Sequence, residues 1–97
     1  MQVYDRAQIL QEVVGVLRDM TSDWGVELSG GIQESTRLVG DLSFESIEVV
    51  QLMIALEQHF KLKKLASERL LMEDGRYVED IAVAQIVDFL AGEISAQ

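Results

Sequence analysis

Apolar residues recur at helical spacing in three segments of this chain, and no other feature constrains its fold as strongly. The segments cover residues 5–20, 46–61 and 83–94. Each places apolar side chains at positions i, i+3, i+4 and i+7, the pattern of an amphipathic helix with one buried face. We find no stretch in which apolar and polar residues alternate long enough to predict a β-strand. The chain is therefore predicted to be helical.

Charged residues mark the ends of the first two predicted helices. Asp5 is suited to cap the first helix, because its carboxylate can accept a hydrogen bond from a free backbone N–H. Glu45 and Glu48 lie at the start of the second helix, where the helix dipole favours negative charge. Three lysines follow the end of that helix: Lys61, Lys63 and Lys64. These positions support the predicted boundaries.

Residues 21–45 form a predicted loop that is long for a small domain and contains four of the seven glycines. Loops of this length are usually functional or disordered. Isolated apolar residues occur throughout it: Trp24, Val26, Leu28, Ile32, Leu38, Val39 and Leu42. We expect these side chains to pack across a helical core, so the loop is predicted to be ordered.

The remaining segment, residues 62–77, is mixed in character. It predicts a short helical piece at about 67–72 and a turn at 73–75, and a single helical turn is expected at 78–81. The 97 residues suffice for one domain, which we assign to residues 1–97. The predicted fold class is an all-α bundle of three main helices and one short helix.

Composition excludes several functions. The chain has no cysteine, which removes disulfides, thiolate metal sites and a cysteine nucleophile. With 17 acidic and 8 basic residues its net charge is −9, which argues against nucleic-acid binding and favours basic partner surfaces. No apolar run reaches the roughly 18 residues of a membrane span, and the first residues do not resemble a secretory signal. We expect a cytoplasmic protein without membrane insertion.

Catalytic and metal sites are also not expected. His59 follows Ser46 by 13 residues, about 20 Å along one helix, which is too far for a serine–histidine pair. The best candidate for a calcium loop, residues 41–52, has Ser46 in place of the required glycine and Leu52 in place of the required glutamate. His59 is expected to be a partly exposed residue near a helix end.

The second helix has more apolar surface than one buried face requires. Its expected core face is formed by Val49, Leu52, Met53, Leu56 and Phe60. Ile47, Val50 and Ile54 lie beside that face. At the start of this helix, Ser43, Glu45 or Ser46 could simply be the cap. Alternatively the Ser46 hydroxyl carries a group, since a helix N-terminus stabilises a phosphodiester.

Residues 42–52, LSFESIEVVQL, resemble the signature of acyl carrier proteins. In that family an Asp-Ser-Leu tripeptide opens the second helix, and its serine carries 4′-phosphopantetheine; here the tripeptide is Glu45-Ser46-Ile47. The resemblance extends to Thr36, Leu38 and Leu42 before the motif. It also includes residues 78–90, which resemble the family's short third helix and its fourth helix. Ser43 stands where the family often has glycine, and Gln51 where it often has glutamate.

The resemblance implies a four-helix acyl-carrier-like fold with a short third helix and a long loop between helices one and two. It implies a monomeric, non-enzymatic carrier in fatty acid or polyketide-type biosynthesis. A phosphopantetheinyl transferase with Mg²⁺ would move 4′-phosphopantetheine from coenzyme A onto Ser46. Acyl-loading, synthase or transferase enzymes with basic docking surfaces would be its other partners. The expected recognition residues are Glu45, Ile47, Glu48, Val50, Gln51 and Ile54.

A second hypothesis also explains the extra apolar surface of helix two. In it, the protein is a small acidic helical adaptor that is never modified and binds a basic or amphipathic partner through this helix. This hypothesis assigns no role to Ser46. Modification by a transferase distinguishes the two.

Overall fold

A computed structural model describes residues 4–25, 30–62, 65 and 67–96. Within these residues the fold is compact and mostly helical, with four helices and a two-stranded antiparallel sheet. The elements are α1 (Arg6–Thr21), α2 (Ser46–His59), α3 (Glu68–Leu71), β1 (Met72–Glu73), β2 (Arg76–Tyr77) and α4 (Val83–Ala96). Four residues discussed above lie outside the described parts of the chain: Val26, Leu28, Lys63 and Lys64.

Helix α1 begins as predicted. The Asp5 carboxylate accepts a hydrogen bond from the Gln8 N–H at 2.8 Å, and the Gln8 side chain accepts one from the Asp5 N–H at 3.3 Å. This reciprocal pair is a capping box, which satisfies two backbone donors that the helix leaves free. Ile9, Val13 and Leu17 are buried along one face, as their spacing predicts.

Helix α2 ends two residues before the predicted end at residue 61. Phe60 is the C-cap, and Lys61 adopts a left-handed backbone conformation with φ of 55°. The Leu62 N–H donates to the Glu57 carbonyl at 2.9 Å. A left-handed residue followed by a hydrogen bond back into the last turn is a common way to end a helix. The chain therefore turns away at Lys61.

The segment after α2 contains the predicted short helix, but it also contains strands that the sequence does not predict. Met72 pairs with Tyr77, and Glu73 pairs with Arg76. The two strands have two residues each, too short for an alternating pattern. Asp74 and Gly75 join them with φ values of 53° and 78°. Two consecutive residues with positive φ suit the tight turn of a short hairpin, and Asp-Gly is a favoured sequence for it.

The helical turn expected at 78–81 is wrong, and with it the short third helix that the resemblance implies at this position. These residues pair with the loop instead. The Leu38 N–H donates to the Ile81 carbonyl at 3.0 Å. Two further bonds continue this pairing, from the Val83 N–H to the Thr36 carbonyl and from the Ala84 N–H to the Glu34 carbonyl, each at 2.9 Å. The short helix is α3, which lies before the hairpin.

Helix α1 packs against α4 and α2, and the loop between α1 and α2 completes the core. Leu38 and Leu42 are buried, and Ile32 is partly buried, so the expectation that the loop packs on the core is confirmed for them. Val39 is exposed, so the expectation is wrong for it, whereas Trp24 is 39% exposed but packs on the ring of the buried Phe44. The buried residues of α2 are Leu52, Met53 and Leu56, with Phe60 buried at its end and Val49 only partly buried.

Candidate functional site

Ser46 is the first residue of α2, and its side chain is exposed. The N-cap of the helix is Glu45, which has an extended backbone. The Glu45 N–H donates to the Glu48 carboxylate at 2.8 Å. A glutamate at this third helical position is the usual partner in a capping box. The described residues make no hydrogen bond to the Ser46 hydroxyl, so the serine is not needed as the helix cap.

Ser43 adopts a left-handed conformation with φ of 60°. Its N–H donates to the Val39 carbonyl at 3.1 Å, which closes a turn just before α2. This conformation costs a residue with a side chain roughly 1–2 kcal/mol, whereas glycine adopts it readily. The backbone at position 43 therefore suits glycine better than serine.

A surface cleft of about 570 Å³ opens beside Ser46. This volume lies within the roughly 300–1,000 Å³ that is typical of sites for small molecules. Buried or partly buried apolar side chains that line it include Leu38, Phe44, Val49, Leu71, Val78 and Ile81. The cleft thus places an apolar surface next to an exposed hydroxyl.

Other lining residues are exposed. Tyr77, at the end of β2, has 77% of its surface exposed and borders the cleft together with Val50. Glu45 and Glu79 add acidic groups to the lining. The rim of the cleft therefore combines an aromatic ring with two carboxylates.

Trp24 packs against Phe44, one of the residues that line the cleft. Its ring centroid is 5.1 Å from that of Phe44, with the two planes tilted by 54°. Aromatic pairs at this separation attract each other beyond simple burial of apolar area. The contact connects the turn after α1 to the residue that precedes the N-cap of α2.

Asp80 joins two walls of the cleft. Its carboxylate accepts hydrogen bonds from the Val39 and Ile81 N–H groups at 2.8 Å and from the Gly40 N–H at 3.0 Å. Burial alone would raise the pKa of Asp80, but these three donors, assisted by the positive charge of Arg37, lower it overall. Asp80 is therefore ionised in the folded protein at neutral pH.

Most of the predicted recognition residues share one exposed face of α2. Ile47, Val50 and Ile54 have 57%, 49% and 53% of their surface exposed. Gln51 and Glu45 are also exposed. Three large apolar side chains at spacings of three and four residues form a continuous apolar stripe. We call this set, Ile47, Val50 and Ile54, the α2 stripe.

Glu48 differs from the other predicted recognition residues. Its side chain is partly buried, and its carboxylate is engaged with the Glu45 N–H. Glu48, predicted as a recognition residue, therefore also takes part in the hydrogen bonding at the helix start. The capping pattern itself, a glutamate three positions after the N-cap, was the signal in the sequence that could have revealed this role.

Two other residues of the site are not found from sequence. Tyr77 reaches the cleft through the hairpin, and Asp80 through bonds to residues about 40 positions earlier in the chain. Neither position carries a local pattern that sets it apart from other surface residues. Only the pairing of residues 34–40 with residues 80–84 brings Asp80 to the cleft.

The described residues contain no group of three or more histidine or acidic side chains arranged to hold a metal ion. Asp41, the first residue of the candidate calcium loop, accepts a hydrogen bond from the Arg37 N–H at 2.8 Å. His59, the last residue of α2, lies 3.4 Å from a carboxylate oxygen of Glu12. No helix in the described parts of the chain is long and apolar enough to span a bilayer.

No protein-family model matches the chain, and a search of curated proteins gives no significant match.

Proposed function

We propose that this protein is a discrete, monomeric acyl carrier protein of the cytoplasm, with one domain and the four-helix acyl-carrier type of fold. It would carry acyl groups for fatty acid or polyketide-type biosynthesis and would not be an enzyme itself. The observation that carries the proposal is the exposed Ser46 hydroxyl. It lies at the first position of α2, beside an apolar cleft, while another residue caps the helix.

The surroundings of Ser46 fit a 4′-phosphopantetheine group. The hydroxyl is accessible and has no hydrogen-bond partner among the described residues. The positive end of the α2 dipole favours a phosphodiester at this place. When bound, the group supplies a terminal thiol for thioester linkage, a function that the chain's own residues lack because it has no cysteine. The cleft offers an apolar surface within reach of the attachment point.

In the transfer step the Ser46 oxygen attacks the phosphorus of the coenzyme A pyrophosphate that bears the pantetheine. The new bond joins this phosphorus to the serine oxygen, and the bond between the two phosphates breaks. The adenosine bisphosphate leaves, and the serine proton passes to a base of the transferase. Mg²⁺ in the transferase would stabilise the charge that develops on the pyrophosphate.

The exposed face of α2 supports the partner part of the proposal. The α2 stripe offers apolar contact area next to Ser46, and Glu45 adds a negative charge that suits a basic docking site. Charge complementarity of this kind speeds association more than it tightens binding. A carrier that visits several enzymes in turn benefits from fast association and release.

Intact mass after incubation with coenzyme A, Mg²⁺ and a broad-specificity phosphopantetheinyl transferase tests the proposal. We expect the wild type to gain the mass of one phosphopantetheine and Ser46→Ala to gain none. Ser43→Gly is the matched control, because it removes a neighbouring hydroxyl where the backbone suits glycine. It should be modified like the wild type. Modification of folded Ser46→Ala protein would show that the attachment site is wrong.

The α2 stripe also favours the second candidate function, an unmodified adaptor that binds an amphipathic or basic partner. This function needs the exposed apolar face but not the serine hydroxyl. If competent transferases leave the folded wild type unmodified, the adaptor is favoured. A single modification at Ser46 favours the carrier.

A further inference from the structure

The Asp80 carboxylate holds three backbone amides from two segments that are distant in sequence. One oxygen, Oδ1, accepts from the N–H groups of Val39 and Ile81, and the other, Oδ2, accepts from the N–H of Gly40. Hydrogen bonds to an ionised carboxylate are stronger than those between neutral groups. We call this arrangement of Asp80 with the Val39, Gly40 and Ile81 amides the Asp80 clamp.

The clamp continues through the backbone to the residues just before Ser46. On one side, the Val39 and Gly40 N–H groups donate to the Asp80 carboxylate. On the other side, the carbonyls of the same two peptide units, those of Leu38 and Val39, accept from the Phe44 N–H at 2.9 Å and the Ser43 N–H at 3.1 Å. Two peptide units thus connect the clamp directly to the turn that leads into α2.

Gly40 provides the space that the clamp needs. A Cβ atom at this position would lie 3.2 Å from the Asp80 Oδ2 atom, closer than most such contacts in proteins. Gly40 does not have the positive φ of the turn glycines, so its backbone would accept alanine. Gly40 therefore leaves room for the close approach of the carboxylate, which a Cβ atom would push away by a few tenths of an ångström.

We propose that Asp80 is a positioning residue for Ser46. By holding the amides of Val39 and Gly40, it fixes the turn that ends at Ser43 and Phe44 and thereby sets the orientation of the Ser46 hydroxyl at the start of α2. The proposal rests on the proposed function, because it concerns the serine that receives the phosphopantetheine. A displacement of about 1 Å at a reacting group can reduce a rate by about 100-fold.

Asp80→Asn tests the clamp directly. Asparagine has one acceptor oxygen in place of two, and its amide group would face a backbone donor. Glu79→Gln is the matched control: it removes the same charge from the neighbouring residue, which also lines the cleft but has no hydrogen bond within the described parts of the chain. Gly40→Ala is a second test variant, which displaces the carboxylate without any change of charge.

The first measurement is the steady-state kinetics of modification by the transferase. For Asp80→Asn and Gly40→Ala we expect kcat to fall by roughly tenfold or more, with KM for the carrier unchanged because the exposed face of α2 is intact. Glu79→Gln should keep the wild-type kcat. An unchanged kcat in both clamp variants would overturn the proposal, and so would a change that appears only in KM.

The second measurement does not depend on modification. In ¹H–¹⁵N spectra of the unmodified protein, we expect the amide signals of Ser43, Phe44 and Ser46 to shift in both clamp variants but not in Glu79→Gln. Signals of the core residues Val13 and Val87 report whether each variant is folded. If the 43–46 signals stay in place in a folded clamp variant, the clamp does not position Ser46. If the wild type is not modified but these signals shift in the clamp variants, the proposed function is wrong, whereas Asp80 still positions the turn before α2.

Discussion

Glu48 combines two roles at the start of α2, because its carboxylate accepts the Glu45 N–H and also carries charge next to Ser46. We expect Glu48→Lys to lower the free energy of unfolding by about 1 kcal/mol, since it removes the capping acceptor and puts a cation at the positive end of the helix. Glu48→Gln keeps an acceptor and should lower it by less than about 0.5 kcal/mol. Urea unfolding of both variants measures the difference. Equal losses would show that the capping bond contributes nothing.

The same pair separates stability from recognition. Glu48→Gln removes only the charge, so a higher KM for the transferase in this variant would come from weaker docking. The difference in KM from the wild type should then diminish as salt is added. If Glu48→Gln is modified with wild-type kinetics at low salt, Glu48 is not part of the docking surface.

The lowered pKa of Asp80 predicts a specific dependence of stability on pH. Since the folded-state pKa is below the ordinary value of 3.8, the ionised carboxylate stabilises the fold above that value. This contribution is lost as the pH falls through the lowered folded-state pKa. Protonated Asp80 resembles asparagine, so the difference in unfolding free energy between wild type and Asp80→Asn should shrink below about pH 4.

Urea unfolding of both proteins at neutral and acidic pH provides this measurement. The other carboxylates are shared by the two proteins, so their titration cancels in the comparison. A difference that stays constant down to the acid transition would mean that the clamp bonds do not depend on ionisation.

At the scale of elements, α2 has a buried face and an exposed apolar stripe that should respond differently to truncation. Leu56 is fully buried, so Leu56→Ala should cost roughly 2–5 kcal/mol of unfolding free energy through lost packing. Ile54→Ala, two residues earlier on the exposed stripe, should cost less than about 0.5 kcal/mol. Thermal or urea unfolding compares the two. A large loss for Ile54→Ala would mean that the stripe packs on the protein itself.

The three long helices could be predicted from sequence because their signals are local. Apolar spacing fixed the buried faces of α1 and α2, and the Asp5 cap and its partner Gln8 lie within one turn of each other. The start of α2 at Ser46 also followed from nearby charges. The same spacing left Ile47, Val50 and Ile54 outside the buried face of α2, and these three side chains are exposed.

The elements that were missed depend on contacts between distant residues. Strands of two residues have no measurable alternation, and only the Asp74-Gly75 turn hinted at them. Residues 78–81 contain apolar and acidic residues at spacings that would also fit a helix. Their hydrogen bonds to residues 36–40 favour a non-helical backbone instead. The Asp80 carboxylate accepts from the Val39 and Gly40 N–H groups, which would be left to water if residues 78–81 formed a helix.

At the scale of the whole molecule, charge repulsion should limit stability at low ionic strength. The net charge is −9, and eight acidic residues lie between positions 19 and 58 with one basic residue, Arg37. The ion pairs of Arg6 with Glu34 and Asp88 oppose this effect, but they are exposed, and exposed pairs contribute little. We expect the melting temperature to rise with NaCl between low and physiological ionic strength as repulsion is screened. A flat or falling melting temperature would mean that the ion pairs outweigh the repulsion.

The contact between Trp24 and Phe44 gives the protein a built-in optical reporter. The chain has a single tryptophan, and its partner ring forms part of the cleft lining. Any molecule that enters the cleft and displaces Phe44 must change the surroundings of that one indole. Occupancy of the cleft can therefore be followed in the unlabelled protein by tryptophan emission, excited at wavelengths that the two tyrosines do not absorb, so that a change is assigned to one known position.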